Sequence, residues 1–258
     1  MKLLDLTFRT PEENLACDEA LLDRCDAGDG PEVLRFWEPA QYFVVVGYSN
    51  QIEREVNLEA CRERGISILR RCSGGGTVLQ GPGCLNYSLI LRIDSNPALQ
   101  TVTGTNRFVM ERNRAALEKL LSDRSRCEEA PSSHSALRTP HSALSVRGHT
   151  DLAISDRKFS GNAQRRKRQA VLFHGSFLLN FNLDLVSRLL PMPPKAPDYR
   201  HSRSHGEFLM NLNVSASEVK SALNEVWSAI DELRDISKHA IRQLAAQKYS
   251  TNEWNFKR

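Results

Sequence analysis

Three consecutive glycines stand between two apolar runs in Arg70-Arg71-Cys72-Ser73-Gly74-Gly75-Gly76-Thr77-Val78-Leu79, after Ile66 to Leu69 and ahead of Leu85 to Ile93. The flanking runs read as strands. A glycine run between strands leaves a length of backbone without Cβ atoms, free to take positive φ and to bring its N–H groups close to a ligand. Arg70 and Arg71 at the entrance add fixed charge in planar donor forks that suit carboxylate or phosphate. An anionic ligand is one reading of this loop and a plain turn or bulge is the other, and the loop by itself leaves both open. Neither G-x-x-x-x-G-K-[ST] nor a G-x-G-x-x-G after a strand is present to name a nucleotide site.

The 258 residues suit one large domain able to bury roughly three quarters of its unfolded surface. No apolar run approaches the ~18 residues of a membrane span. Met1 to Leu6 alternates like a strand and carries Asp5, unlike a signal peptide. The six cysteines, at 17, 25, 61, 72, 84 and 127, form no C-x-x-C pair and keep no zinc spacing, so they read as free thiols in a reducing compartment. A cytoplasmic protein with no membrane contact is expected. A net charge of +4 and a pI near 8.8 favour an acidic partner and are too small to imply nucleic acid.

Along the chain, Met1 to Arg9 reads as a strand. Thr10-Pro11-Glu12-Glu13 is a cap, a first-turn proline and a returning glutamate, which predicts a helix to about Ala27 stopped by Gly28. Strands follow at Val33 to Trp37 and Tyr42 to Tyr48, a short helix capped by Asn57 ends at Gly65, and Ile66 to Arg71 leads into the glycine loop. Thr77 to Gln80 and Leu85 to Ile93 continue the sheet around a Gly81-Pro82-Gly83 turn. A helix is expected from about Thr105 to Leu121. His134-Ser135-Ala136-Leu137 and His141-Ser142-Ala143-Leu144 repeat each other inside a Ser/Pro-containing stretch, which reads as a flexible insertion at 130–147. Beyond it come strands on either side of an Asp156-Arg157 turn, a strand from Val171 to Asn180, and a helix from Leu183 to Leu190 ended by Pro191. An amphipathic helix follows the capping box at Ser215, with apolar positions reaching Ile230 and Leu233, and a last helix spans Lys238 to Gln247. The order lacks strict βαβ alternation, so the expected fold is α+β, a largely antiparallel mixed sheet with flanking helices over residues 1–258.

Lys158, in Arg157-Lys158-Phe159-Ser160-Gly161-Asn162-Ala163, is the second candidate site. Turned inward, its ammonium is costly unless an anion meets it, and Gly161 and Ala163 leave room for one. Turned outward, it is an ordinary edge-strand lysine.

Taken together the motifs resemble the lipoate–protein ligase A family of the biotin/lipoate protein ligase superfamily. The family's Arg-Arg-x-Ser-Gly-Gly-Gly loop matches Arg70 to Gly76, followed by Gly83-Cys84-Leu85-Asn86-Tyr87-Ser88 where the family has a Gly-Asn-x-Asn-type strand. Its Asp-Leu and Arg-Lys-x-Ser-Gly-x-Ala signature matches Asp151-Leu152 and Arg157 to Ala163, its His-Gly strand matches His174-Gly175, and its terminal Glu-Trp-Asn matches Glu253-Trp254-Asn255. The resemblance implies a catalytic core like those of class II synthetases and biotin ligases. It also implies activation of lipoate with ATP to lipoyl-AMP, and transfer to a lysine of an acidic acceptor lipoyl domain. Lipoate and ATP with Mg²⁺ are then substrates and no bound prosthetic group is expected. By the same resemblance Lys158 is catalytic and touches both ligands, while Arg71, Gly76, Thr77, Val78 and Leu79 hold the nucleotide. Ser73, Gly74, Gly75, Gly161, Ala163 and His174 line the lipoate site, and Asp151 holds Mg²⁺ or orients Lys158. A tunnel wall could draw on Trp37, Val44, Val46 and Val78, and Arg165 to Arg168 could steer an acceptor.

Two departures bear on this. Position 72 is cysteine, and the family's small C-terminal accessory domain has no counterpart, so either a separate accessory subunit or action alone is expected. The rival chemistry is an octanoyl- or lipoyl-transferase of the same superfamily, which forms a thioester on a cysteine beside the lysine and needs no ATP. Cys72 and Cys84 near the proposed pocket are its candidate thiols, and the segment before Asp151 offers none nearer than Cys127. A biotin ligase, a non-catalytic acceptor-binding module and a nucleic-acid binder fit the motifs and charge less well.

Overall fold

The computed structural model describes residues 1–128 and 144–257. Its centre is an eight-stranded mixed sheet in the order β11-β1-β2-β6-β10-β9-β8-β7. These strands are β1 (Lys2–Asp5), β2 (Val33–Trp37), β6 (Cys84–Arg92), β7 (Ser145–Arg147), β8 (Asp151–Ile154), β9 (Arg157–Arg166), β10 (Ala170–Leu178) and β11 (Asp231–Glu232). β1 runs parallel to β2 and β11, and every other pairing in the sheet is antiparallel. A second, three-stranded sheet is made by β3 (Phe43–Val46), β4 (Ser67–Arg70) and β5 (Val78–Gln80), with β3 central. The sequence reading ran the strand before Gly81 and the strand after Gly83 through one sheet. Instead, the Gly81-Pro82-Gly83 turn hands the chain from the small sheet to the large one.

The large sheet is buried on both faces, by different means. On one face Leu34, Phe36, Leu85, Leu89, Leu91, Phe173 and Phe177 pack against α4 (Val102–Glu128) and α7 (Ala216–Trp227) through Val109, Met110, Leu117, Val219, Leu223 and Trp227. On the other, Val33, Ile90 and Leu172 pack under α1 (Pro11–Ala27), through Leu15, Ala16 and Leu22, with Ile241 of α8 (Lys238–Leu244) and Tyr249 behind it. The caps that bound α1 are those the sequence specifies. Thr10 Oγ1 accepts from Glu13 N at 3.2 Å, and Gly28 takes φ +90° to end the helix.

Several boundaries differ from expectation for local reasons. The β8–β9 turn is Ser155-Asp156, both at positive φ, one residue earlier than Asp156-Arg157. Helix α7 stops at Ser228 in a left-handed cap, so Ile230 is 85% exposed and does not extend the apolar face, although Leu233 is buried. The short helix capped by Asn57 is α3 (Leu58–Glu63), as expected, and a further one-turn helix, α2 (Ile52–Glu55), precedes it. The expected insertion and its histidine repeat lie outside the described residues up to 143. Residues 145–147, assigned to it, are instead β7. Helix α5 (Leu183–Leu189) ends before Pro191 as expected, and α6 (His205–Phe208) and α9 (Asn252–Asn255) complete the set.

Arg70 takes a role its sequence neighbourhood did not suggest. It is 1% exposed, and its guanidinium donates to the carbonyls of Gly47, Tyr48, Asn50, Asn255 and Lys257. Its backbone N–H donates to Asn255 Oδ1 at 2.9 Å, and Trp254 Nε1 donates to its carbonyl at 2.8 Å. The first arginine of the pair therefore clamps the C-terminal residues to the base of the glycine loop.

Gly83 has φ +88°, and an added Cβ would sit 2.1 Å from the Asn180 carbonyl oxygen, where Leu179 N and Asn180 N already donate to the Gly83 carbonyl. Gly83→Ala is expected to cost about 2–4 kcal/mol of stability, read from the urea midpoint, because both the backbone angle and a backbone atom resist the methyl. An unchanged midpoint would refute this docking of the turn.

Candidate active site

Cross-strand register builds the site's floor. Asp151 pairs with Gly161, Gly161 with Ser176, Ser176 with Asn86, and Asn86 with Trp37, so these five share one face along a line across β8, β9, β10, β6 and β2. The adjoining row on the same face is Ala163, His174, Ser88 and Arg35. Small and polar residues thus replace apolar ones where the sheet emerges from beneath α1. A cavity of about 1070 Å³ stands over this floor. Its far walls are Gly75 to Gln80, the 146–151 segment, and the chain from Leu190 to Arg200.

Lys158 reaches this face because the sheet is irregular. Leu152 pairs with Ser160 but Ala153 pairs with Lys158, so one residue of β9 is extra and the strand bulges at Phe159. Regular alternation puts positions 158 and 161 on opposite faces; the bulge puts them on the same one. The lysine then lies across Gly161, where a Cβ would meet Nζ at 2.6 Å and Cε at 2.7 Å. Lys158 Nζ donates to Asp151 Oδ1 at 2.7 Å, and Tyr199 donates its hydroxyl to Asp151 Oδ2 at 2.9 Å. The ammonium is 25% exposed and opens onto the cavity. Burial and the neighbouring carboxylate raise the Tyr199 phenol far above its ordinary pKa, so it stays a donor to Asp151.

The glycine loop is fixed from within. Arg71 is almost wholly buried and donates to Ser73 Oγ, the carbonyls of Gly74 and Gly76 at 2.6 and 2.8 Å, and the Val45 carbonyl. Burial lowers its pKa to about 10, which leaves it charged at neutral pH. Its charge lies at the cavity wall, but most of its N–H groups hold the loop. Gly75, Gly76, Thr77, Val78 and Leu79 line the cavity, as do Gly161, Ala163 and His174. Ser73 and Gly74 do not: Ser73 is fully buried and Gly74 serves Arg71 through its carbonyl. Glu55 braces the loop from the other side, accepting from Thr77 Oγ1 at 2.6 Å and Asn50 Nδ2 at 2.7 Å. Of the expected tunnel residues, Trp37 and Val78 line the cavity; alternation on β3 turns Val45 towards it and sends Val44 and Val46 into the core beneath α5.

A buried polar network underlies the second floor row. His174 Nε2 hydrogen-bonds Ser73 Oγ at 2.6 Å and its Nδ1 lies 3.4 Å from Asp18 Oδ2, which also accepts from Ser88 Oγ at 2.7 Å. Burial pushes the Asp18 carboxyl up, but the ion pair with fully buried Arg35 and the bonds from His174 and Ser88 outweigh it and leave its pKa lowered. Sequence reasoning missed Asp18, Arg35, Asn86, Ser88 and Tyr199. A usable signal existed for three of them: Arg35 within Val33-Leu34-Arg35-Phe36-Trp37, and Asn86 and Ser88 alternating with Leu85, Tyr87 and Leu89, are polar residues inside otherwise buried strands. Trp37 Nε1, Gln80 Oε1 and Asn86 Nδ2 at the cavity are buried without a protein partner, as expected where a ligand or water completes the bonding.

The described residues contain no group of three His, Cys, Asp or Glu side chains that could hold a metal ion. Both Asp151 oxygens are already engaged, by an ammonium and a phenol. Of the two roles expected for Asp151, the contacts with Lys158 and Tyr199 fit orientation of Lys158.

A family model described as the lipoyl protein ligase A/B catalytic domain matches residues 10–230. Octanoyltransferase LipM of Geobacillus kaustophilus is 31% identical over 277 residues, covering 100% of this chain and 98% of the relative. Lipoate-protein ligase A subunit 1 of Thermoplasma acidophilum is 29% identical, covering 94% and 90%. Among solved structures, a lipoate-protein ligase A bound with ATP has a TM-score of 0.74 at 29% identity, over 99% of this chain and 98% of the other. A T. acidophilum protein described as a putative lipoate protein ligase with bound lipoic acid has a TM-score of 0.74 at 27% identity, again over 99% and 98%.

Two tests follow from the geometry. Gly161→Ala meets only the flexible tip of Lys158, so it is expected to cost less than about 1 kcal/mol in stability while lowering turnover at least tenfold by displacing the ammonium. Equal turnover in the variant would show that Lys158 need not lie across position 161. For Asp18, a folded pKa below the unfolded one near 3.9 means that its contribution is complete above about pH 4 and is lost as pH falls through the lowered folded value. Asp18→Asn is expected to flatten that acid limb in urea titrations at pH 2–5 and to lower stability by about 3–5 kcal/mol at pH 7, since Arg35 is left buried and uncompensated. An unaltered acid limb would remove Asp18 as its source.

Proposed function

Because the chain belongs to the lipoyl protein ligase A/B catalytic-domain family, we propose that it activates a lipoyl or octanoyl acid with ATP and passes the acyl group to a lysine of an acceptor lipoyl domain. In the first step a carboxylate oxygen attacks the α-phosphorus and pyrophosphate leaves. In the second, the acceptor amine attacks the acyl carbon, AMP leaves, and the amine's proton goes to solvent. Bringing a carboxylate to a phosphate sets two anions together, and a cationic donor between them lowers that barrier. Lys158 is that donor: it is the cavity ammonium paired with Asp151, which Tyr199 braces, above a glycine floor, and this arrangement is the observation that carries the reading. Backbone at Gly75 to Leu79 faces the side where the nucleotide would lie, with Arg71 keeping it in shape. From Gly161 to Trp37 the floor crosses three strand spacings, about 14 Å, room for an extended medium-length acyl chain. That one relative is solved with ATP and another with lipoic acid supports a site that takes both ligands. A solved T. acidophilum system is described as a bi-partite lipoate protein ligase and its E2 lipoyl domain, which supports an E2 lipoyl domain as acceptor and an accessory chain as a partner to test.

The second reading is a thioester-forming octanoyltransferase, favoured by the name of the LipM relatives. It needs a reactive thiol at the cavity, and the described cysteines do not supply one. Cys72 and Cys84 are buried, neither lines the cavity, and burial pushes both thiols up to about 12. Cys17 and Cys25 are likewise raised to about 11. Cys61 is buried away from the cavity and burial raises its thiol too, while Cys127 lies near the end of α4.

The purified chain is expected to release pyrophosphate from ATP-Mg²⁺ only when lipoate or octanoate is present, and Lys158→Ala to lower that rate at least about 100-fold with an unchanged melting temperature. If ATP is inert with and without an accessory subunit while octanoyl carrier leaves an acyl adduct on Cys127, the thioester reading replaces this one. In the folded protein at pH 8, Cys72 and Cys84 are expected to stay unalkylated by iodoacetamide, as mapped by mass spectrometry; rapid labelling of either would restore it as a candidate nucleophile.

A further inference from the structure

Outside the cavity, beside the glycine loop, three cations gather on two aromatic rings. Lys257 Nζ lies 3.3 Å from the centre of the Tyr48 ring and 3.9 Å from that of Trp254. The Arg165 guanidinium lies 5.3 Å from the Tyr48 centre, and Lys248 Nζ lies 3.9 Å from Trp254. Lys248 is paired with Glu19, but among the described residues Arg165 and Lys257 have no carboxylate within ion-pair distance. Tyr48 is 40% exposed, and Phe256 at the edge of the cluster is 47% exposed.

The cluster is held rigid from below. Arg70 grips the carbonyls of Tyr48 and Lys257, and Tyr48 N donates to the Ser73 carbonyl at 2.8 Å. The sequence reading treated Arg165 to Arg168 as one basic run, and the fold divides it. Arg166 turns inward to Thr105 and the Leu99 carbonyl, and Lys167 pairs with Asp23. Arg165 alone joins the cluster, two residues beyond Ala163, which lines the cavity on the same strand face. That places the cations about 7 Å along β9 from the cavity rim.

We infer that Tyr48, Arg165 and Lys257 form the docking surface for the acyl acceptor, and that they take carboxylates flanking the acceptor's reactive lysine. The inference rests on the acyl-transfer reading of the cavity. An amine can reach the acyl carbon only if its protein sits over the rim, and unpaired cations beside that rim select a partner with negative charge there. An exposed tyrosine and an arginine on a pre-formed backbone are residue types enriched at interfaces, and the lysine adds charge complementarity. The cluster does not line the cavity, so nucleotide phosphates inside it are not its ligand.

The test is direct binding of the unacylated E2 lipoyl domain of the source organism, by titration at low and high salt, with no nucleotide or acyl donor present. Arg165→Glu/Lys257→Glu is expected to weaken binding at least tenfold at low salt, with the difference shrinking towards about 0.5 M salt. Arg165→Gln/Lys257→Gln should give an intermediate loss. Arg168→Glu/Lys238→Glu, which makes the same net change at exposed positions elsewhere, should stay within about twofold of wild type. Equal affinity in the first pair, equal weakening in the control pair, or no binding by the wild-type chain would each overturn the docking surface. Pyrophosphate release measured without acceptor should be unchanged in the Arg165/Lys257 variants, and a parallel loss there would assign the residues to the loop instead. Since binding needs no activated acyl group, failure of the ATP chemistry leaves this result standing by itself.

Discussion

Everything at the site depends on one sheet face giving up its apolar character over two adjacent register rows. On the opposite face of β6 and β10, Leu85, Leu89, Leu91, Phe173 and Phe177 form core under α4 and α7. On the cavity side, Asn86, Ser88, His174, Arg35 and Ser176 stand where a two-sided buried sheet would carry valine or isoleucine. Burying those groups is costly unless they are paired, and most of the surrounding structure answers that cost. Asp18 on α1 neutralises Arg35 and accepts from Ser88, while His174 bridges Asp18 to Ser73 in the glycine loop. Helix α1 is therefore both a core helix and the source of the counter-charge, and the small sheet is tied to the large one through a hydrogen bond that also orders the loop.

The bulge at Phe159 is the second constraint, and it shows where reading alternation from sequence stops working. Strict period two assigns Lys158, Ser160 and Asn162 to one face and Gly161 and Ala163 to the other, so a lysine on a glycine floor is unreachable without an extra residue. With the bulge, Lys158 crosses Gly161 and meets Asp151, which regular pairing has already placed opposite Gly161. No local composition announces the bulge, since neither proline nor a positive-φ residue marks it. Its partner Tyr199 is equally silent in sequence, because the segment after Pro191 carries no period and comes to Asp151 only through tertiary packing.

What was legible shares a feature: the local chemistry has one structural answer. The Thr10 cap and Gly28 stop, the Ser215 capping box, the Gly81-Pro82-Gly83 turn and the proline-ended α5 fall where their residues dictate. Strand types and the α+β class follow from the same patterns. The glycine loop and the Lys158 segment were legible as motifs, and the structure brings them to one cavity. Partition between two sheets was not legible, because β5 and β6 are each apolar and the turn joining them is compatible with a hairpin. Nor was the division of labour between the two loop arginines, since adjacent residues with the same side chain offer the sequence reader no reason to separate them.

That division explains how the site can be charged and still work. Arg35, Arg70 and Arg71 are all buried and nearly all their donors end on protein acceptors. Their charge is present in the scaffold, fixed in place and unable to reorganise. Lys158 differs in kind: its ammonium makes one ion pair, lies across a glycine and lines the cavity. Under the acyl-activation reading proposed above, the donor that meets a carboxylate and a phosphate is of the second sort. A guanidinium locked to five carbonyls, as in Arg70, or to three carbonyls and a hydroxyl, as in Arg71, is committed to the backbone, and a thiol held near 12 by burial cannot replace the ammonium. The arrangement therefore separates two jobs within one set of basic residues, with buried arginines shaping the backbone and one lysine presented to the cavity.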